Sequence, residues 1–351
     1  MCSRETPTTS DSVAKTRVLV TGAPGWLGTS LTQALAGGTT LGPVEQKREP
    51  VRVLTQPGAD TRELVEAGEV EVVLGDLRDR TLPRGLCDGI DTVFHCAGLV
   101  HPKRIQQLYD VNVEGTRNLI DAAVASGVKR FVYVSSNSPA GLNIDAARLM
   151  VEDDPPRPYL SYGLSKLQSE WLVREAHRSG KLEGVILRPC WFYGPNQPLR
   201  QTTFFTMIKK GHPLVFGKGD NLRSMSYVDN TVQGLLLARS VEKAAGETYW
   251  IADKRPYSFI EILETVGSLL GVSIRPRYVP GVASDVARFA DSLLQMTGLY
   301  SSYVHVAGEY AASIAVSVAK AERDLGYDPQ IELEEGMRRS IEWCRSKGID
   351  L

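Results

Sequence analysis

Tyr162 and Lys166 stand four residues apart in Tyr162-Gly163-Leu164-Ser165-Lys166. The stretch around them, Ser161–Arg178, repeats apolar residues (Leu164, Leu167, Trp171, Leu172) at helical spacing, and four residues put two side chains on one face of a helix. A free phenol has a pKa of about 10, and a neighbouring ammonium favours its ionised form. Such a pair can exchange a proton with a substrate hydroxyl. A further hydroxyl is needed to hold the reacting oxygen. Val134-Ser135-Ser136-Asn137-Ser138 supplies candidates, Ser136 first and Ser135 as its alternative, where a β-branched run ends.

The partner for this proton chemistry is announced near the start of the chain. Gly22, Gly25 and Gly28 follow the apolar run Val18-Leu19-Val20 and precede a helical pattern of Trp26, Leu27, Leu31, Ala34 and Leu35. A strand, a tight turn and a helix with this glycine spacing form a cradle for a dinucleotide. Gly22 opens a backbone geometry closed to other residues, Gly25 lets the main chain touch a pyrophosphate, and Gly28 lets helix and strand approach. The helix start, with Trp26 and Leu27, offers free N–H groups and partial positive charge to the phosphates. An oxidised nicotinamide held there would also favour the phenolate of Tyr162.

These groups need a scaffold. Val51–Leu54, Val70–Leu74, Thr92–Phe94 and Phe131–Val134 read as further strands, short and unalternating, with helical stretches such as Val113–Ala125 between them. That rhythm predicts an α/β, doubly wound parallel Rossmann sheet covered on both faces, with ligands at the carboxyl ends of its strands. The dinucleotide-binding domain is expected over residues 17–188, after a loose polar tail at 1–16. Residues 189–351 are expected to form mainly a smaller, irregular substrate lobe with segments returning to the first domain. Its strand Glu247–Ile251 and helices Phe259–Leu270 and Leu333–Cys344 are expected not to extend one simple sheet.

Composition narrows the classes. Among 351 residues, 40 lysines and arginines balance 41 acids, which gives no field to attract nucleic acid or anionic lipid. No apolar run is long enough to cross a bilayer. Five cysteines, odd in number and without a C-x-x-C pair, together with five scattered histidines, point to a reduced, cytoplasmic protein without a metal.

Taken together the motifs resemble the extended short-chain dehydrogenases/reductases, the NAD-dependent epimerase/dehydratase type, from about Arg17 to the C-terminus. The resemblance implies an adenine contact from Asp76 beside Leu77, a cofactor-side loop at Cys96-Ala97-Gly98 after His95, and a sheet-bracing Asn112. Asp76 capping a turn and Asn112 capping a helix are the alternative readings. It further implies that Leu187-Arg188-Pro189 and Tyr193-Gly194-Pro195 enter the nicotinamide pocket, that Lys166 also meets the ribose, and that Arg223, within Phe216–Asn230, clamps a sugar-nucleotide diphosphate. Members often form dimers. At the end of the second strand, Val53-Leu54-Thr55-Gln56-Pro57 lacks both the acid typical of NAD sites and the arginine typical of NADP sites; Arg52 and Arg62 lie near, and the reading leans to NAD.

Two departures from the family pattern bear on substrate. Cys190-Trp191-Phe192 replaces an asparagine that meets the diphosphate in many nucleotide-sugar enzymes, so Trp191 and Phe192 either wall a more apolar pocket or serve as core. Asn137-Ser138 stands where dehydratases carry acids, which leaves nothing to protonate a departing hydroxyl. The leading expectation is a nucleotide-sugar 4-epimerase or ketoreductase with Ser136, Asn137, Trp191 and Arg223 at the substrate. The alternatives are a reductase or dehydrogenase of a non-nucleotide, steroid-like or polyketide-like ketone, and a non-catalytic NAD(P)-binding module.

Overall fold

The computed structural model describes residues 17–145 and 147–351; the tail expected at 1–16 lies outside the described residues. Seven strands form one parallel sheet in the order Thr248–Ile251, Glu183–Pro189, Arg130–Val134, Thr92–His95, Val18–Thr21, Val51–Thr55 and Val70–Leu74. The chain begins in the middle, builds outward to Val70–Leu74, then returns past Val18–Thr21 to build the other half. The order therefore reverses between Val18–Thr21 and Thr92–His95, which is where such sheets open a crevice for ligands.

Both faces of the central strands are covered, which explains their unalternating composition. Val18 and Val20 pack with Leu31 and Leu35 of the first helix, Trp26–Gly37, and with Val232 and Leu235 of helix Val228–Ser240. Leu19, between them in the strand, points the other way, toward Leu119, Ile120 and Val173 of helices Gly115–Ala125 and Leu160–Arg178. A third cluster, with Phe205, Val215, Phe259, Ile262 and Met337, forms the core of the C-terminal lobe.

Two features differ from the sequence reading. Thr248–Ile251 does extend the main sheet, in register with Ile186–Pro189, because helix Val228–Ser240 returns from the lobe and lies on the sheet as an ordinary crossover. A short antiparallel hairpin, Thr39–Leu41 with Val44–Gln46, follows the first helix; strands of three residues leave too little pattern to read.

The helix that carries Tyr162 and Lys166 is fixed to the sheet by a buried charge. Glu170 has no exposed surface, and it accepts hydrogen bonds from Ser135 Oγ (2.7 Å), from Arg188 Nε and Nη2 (2.8 and 2.7 Å) and from Arg174 Nη2 (3.0 Å). Burial pushes its carboxyl up, but the Arg188 hydrogen bonds and charge outweigh it and the net shift is downward. Glu170 therefore contributes stability above the ordinary glutamate range, and that contribution is lost as pH falls through the depressed value. Glu170→Ala, which leaves Arg188 buried without its carboxylate, is expected to cost about 3–5 kcal/mol in chemical denaturation at neutral pH, with the gap to the unsubstituted protein narrowing on acidification below the ordinary glutamate pKa of about 4.3. A gap independent of pH would remove the ionic assignment.

Candidate active site

The glycine turn is built by close approach. Gly22 has φ of +90°, and a Cβ there would stand 2.5 Å from the backbone nitrogen of Ala97, so the turn lies directly on the Cys96–Ala97 loop. A Cβ on Gly28 would meet the Gly22 carbonyl at 2.5 Å and one on Gly25 would meet it at 2.6 Å. The helix that follows has neither a side-chain cap nor an acidic residue in its first turn, so its leading N–H groups meet no side chain. This arrangement fits a pyrophosphate. The side chains of Trp26 and Leu27 have other tasks: Trp26 Nε1 donates to Pro195 O at 2.6 Å and Leu27 is core.

Around this turn the remaining cofactor-side candidates are braced. Asp76 forms a fork–fork pair with Arg78, accepts from Gln56 Nε2 at 3.1 Å, and takes the Arg78 backbone N–H at 2.9 Å. The Arg78 hydrogen bonds hold its carboxyl below the usual range. Leu77 packs where a Cβ on Gly115 would stand 3.1 Å away. Arg52 is spent at the opposite end of its strand, on Glu71 and the carbonyls of Gly85, Leu86 and Asp88, and Arg62 is paired with Asp60. Neither faces the turn as a 2′-phosphate contact.

Asn112 sits in a wide helical turn, Tyr109–Glu114, of the i→i+5 type. Its amide both donates to Leu99 O (3.0 Å) and accepts from Leu99 N (2.7 Å), and donates to Ser165 Oγ at 3.0 Å. Its own carbonyl accepts from Thr116 and Ser169 hydroxyls. The asparagine thus ties the loop after His95, including Gly98, to the helix of Tyr162. His95 is itself clamped between Thr21 Oγ1 (2.7 Å) and Thr116 Oγ1 (2.9 Å), and burial pulls its ring down to about 3, so it stays neutral. Burial raises the Cys96 thiol to about 12.

At the centre, Lys166 is 3% exposed, donates to Val134 O at 2.7 Å, and lies 4.3 Å above the Tyr133 ring. Burial lowers its ammonium to about 7, opposed by Glu170 and Cys96. An ammonium has three N–H groups, so two remain for a ligand's hydroxyls. Tyr162 is half-buried. Burial raises its phenol to about 12, while a hydrogen bond with Ser136 pulls the other way. The two serines separate here: Ser135 is committed to Glu170, and Ser136 faces Tyr162. Ser136 Oγ also lies 3.4 Å from Asn137 Oδ1 and 3.3 Å from the Ser138 nitrogen.

The lobe side differs more from expectation. Pro189 ends a sheet strand beside Ile251. Trp191 pairs in a short parallel ladder with Met225 and stacks edge-on to Phe204 at 5.3 Å, and Phe192 lies 5.9 Å from Trp26. Arg223 is 8% exposed, and its Nη2 donates to the carbonyls of Glu309 (2.5 Å) and Tyr310 (3.3 Å). Asn221 likewise donates to Tyr310 O and Ala312 O.

The segment that receives them also brings groups that sequence spacing did not reveal. Tyr300, whose hydroxyl meets His101 Nδ1 at 2.9 Å, and Glu309 act electrostatically on Tyr162 or feel its charge. Behind them His305 Nδ1 lies 2.7 Å from buried Asp291. These residues reach the site from a helical hairpin more than a hundred residues downstream, and no local motif marks them.

Comparison with known proteins places this chain in a family. Residues 18–252 match the model of the NAD dependent epimerase/dehydratase family. The chain belongs to that family and is an enzyme of the extended short-chain dehydrogenase/reductase type. It is 42% identical over 94% of its length to the uncharacterized protein y4nL of Sinorhizobium fredii, covering 96% of that protein. It is 29% identical over 80% of its length to 3beta-hydroxysteroid-dehydrogenase/decarboxylase isoform 1 of Arabidopsis thaliana, covering 68% of it. Among solved structures, MoeE5 in complex with UDP-glucuronic acid and NAD superposes with a TM-score of 0.71 at 26% identity, covering 94% of this chain and 99% of that one.

Lys166 gives a titration that can be read without substrate. Its folded value, about 7, lies below that of an unfolded lysine, about 10.4. Between the two the unfolded chain binds the extra proton, so this residue makes stability rise with pH across that window. Relative to Lys166→Met, the unsubstituted protein without cofactor should therefore gain stability from pH 7 to pH 10 in denaturant titrations; a difference that is flat with pH would show an ammonium that is not desolvated.

Proposed function

We propose that this chain interconverts a secondary alcohol and its ketone on an apolar ring substrate, with NAD as hydride carrier. NAD, when bound, supplies the redox chemistry. The Gly22–Gly28 turn with the N–H groups of the first helix would hold its pyrophosphate, Asp76 and Leu77 its adenine end, and Lys166 its ribose. Cys96, Ala97, Gly98, Asn112 and Pro189 border or brace the same crevice.

The chain's own groups then divide the work. Tyr162 gives or takes the proton of the reacting hydroxyl, Ser136 holds that oxygen by a hydrogen bond, and Lys166 stabilises the phenolate. Ser135 holds the Glu170 brace and does not reach substrate. Asn137 and Ser138 offer no acid for eliminating water, which argues against dehydration.

The substrate class rests on one observation. Arg223, the polar group expected at a nucleotide diphosphate, is turned onto the carbonyls of Glu309 and Tyr310, and its neighbour Asn221 onto those of Tyr310 and Ala312. The similarity to a hydroxysteroid dehydrogenase agrees with this reading. A second reading, a nucleotide-sugar 4-epimerase or ketoreductase, is favoured by the likeness to MoeE5 and by Arg223 Nε, which is buried and has no partner among the described residues.

Two measurements test these readings. Tyr162→Phe should lower turnover by roughly 10² or more while calorimetry finds NAD binding unchanged; equal turnover would remove the catalytic role. Incubated with NAD, the unsubstituted enzyme should produce NADH absorbance from a 3β-hydroxysteroid and leave UDP-glucuronic acid unchanged, neither oxidised nor converted to its 4-epimer by chromatography. The reverse outcome would return Arg223 to a diphosphate.

A further inference from the structure

Helix Val282–Met296 sits with the wrong side out for a helix on a water-facing surface. Its exposed large apolar residues are Val282 (63%), Val286 (63%), Phe289 (66%), Leu293 (49%) and Met296 (82%), whereas its buried residues are Ser284, Asp291 and Gln295. Steps of four and three residues put the first set on one stripe. An ordinary surface helix turns that stripe to the core.

The inversion is held by hydrogen bonds on the polar side. Ser284 Oγ donates to Ala307 O at 2.7 Å, Asp291 meets His305 at 2.7 Å and Gln295 Nε2 at 3.0 Å, and Gln295 Oε1 accepts from the Ser161 nitrogen beside Tyr162. Rolling the helix to bury its apolar stripe would break the three that leave the helix, to Ala307, His305 and Ser161, and take Asp291 from His305. Leu299, Tyr303 and Val306, on the turn and the packed helix Ser302–Glu309, continue the exposed apolar surface at 53%, 89% and 43%. A contiguous patch of this kind marks an interaction site.

The charges around the stripe identify its occupant. The helix has two carboxylates: Asp291 is buried, and Asp285, exposed beside Val282 and Phe289, is paired with Arg288 at 3.4 Å. Exposed Arg275 and Arg277 precede it, at and just before the short strand Arg277–Val279 that leads toward the helix. Exposed Lys103 and Arg104 stand at its other end, joined there by the Arg104–Leu299 bridge and by the Ile105 N–H to Gly298 O at 3.0 Å. Among the described residues none of these four cations has a carboxylate within ion-pair distance. A second copy docked by a two-fold axis would set cation on cation, whether the helices ran parallel or antiparallel. An anionic lipid surface accepts both features at once, the stripe among the acyl chains and the cations at the headgroups.

We propose that the face formed by Val282–Met296 and Ser302–Glu309 docks this enzyme on an anionic membrane surface. It does so from one side: no helix among the described residues is long and apolar enough to cross a membrane. The balanced overall charge conceals this local asymmetry, which only the fold assembles. Because Tyr300 and Glu309 border Tyr162, docking sets the cover of the candidate active site against the lipid. The proposal holds whichever substrate reading is correct.

The test is flotation of the full chain with vesicles of phosphatidylcholine plus phosphatidylglycerol and with vesicles of phosphatidylcholine alone. Binding at low salt to the anionic vesicles, at least about tenfold tighter than to the neutral ones, is expected. Phe289→Asp with Met296→Asp should return the protein to the aqueous fraction with its thermal melting unchanged, and Arg275→Glu with Arg277→Glu should erase the anionic preference. Protein that stays aqueous with both vesicles overturns the proposal. So does anionic binding that survives the Phe289 and Met296 substitutions, and so does a dimer in light scattering that Phe289→Asp splits, which would give the face to a second copy.

Discussion

Everything at the candidate active site depends on a carboxylate that never meets water. Glu170 ties together three separate pieces of chain: the end of strand Arg130–Val134 through Ser135, strand Glu183–Pro189 through Arg188, and its own helix through Arg174. One turn earlier on that helix lies Lys166, and one turn before it Tyr162. A buried ion pair adds little net stability against an apolar alternative, but breaking it is costly. Its use here is positional, since it fixes the helix against the one strand end that supplies Ser136. The adjacent serines illustrate the division, one anchoring the frame and its neighbour facing the phenol.

A second brace works from the other side of the crevice. The widened turn at Tyr109–Glu114 frees the Asn112 carbonyl to accept two hydroxyls, and turns its amide onto both backbone groups of Leu99. The loop that follows His95 is pinned to the Tyr162 helix by that single side chain. Gly22 then packs on Cys96–Ala97 with no room for a Cβ. The candidate proton-transfer residues and the glycine turn are thus held in one frame by short contacts within the chain itself, the preorganisation that proton transfer near a bound cofactor would require.

How much of this could be read from the sequence follows from the range of each interaction. The glycine turn, the central strands and the Tyr162–Lys166 helix were legible because their determinants lie within a few residues: steric freedom at Gly22, unalternating burial on both faces, helical periodicity. Thr248–Ile251 escaped because its partner strand lies some sixty residues upstream, across the excursion into the lobe, so no local rhythm announces the return. Ser136 could be separated from Ser135 only once Glu170 had a position. Arg223 shows the same limit. Its motif suggested an anion, but its direction is set by carbonyls of residues 309 and 310, which no spacing rule brings near.

The cover of the site reverses the rule on which helix reading relies. Periodicity identifies an apolar stripe and then assumes that it faces the core. Over Val282–Met296 the stripe is regular but the core is polar, because the ground beneath it is Ser161, His305 and the Ala307–Gly308 carbonyls. Burying a polar rim demands polar partners, and Ser284, Asp291 and Gln295 provide them, which leaves the apolar residues only the outward side. The exposed stripe is therefore a consequence of covering a polar site with an amphipathic helix, and a surface of that character marks an interaction site.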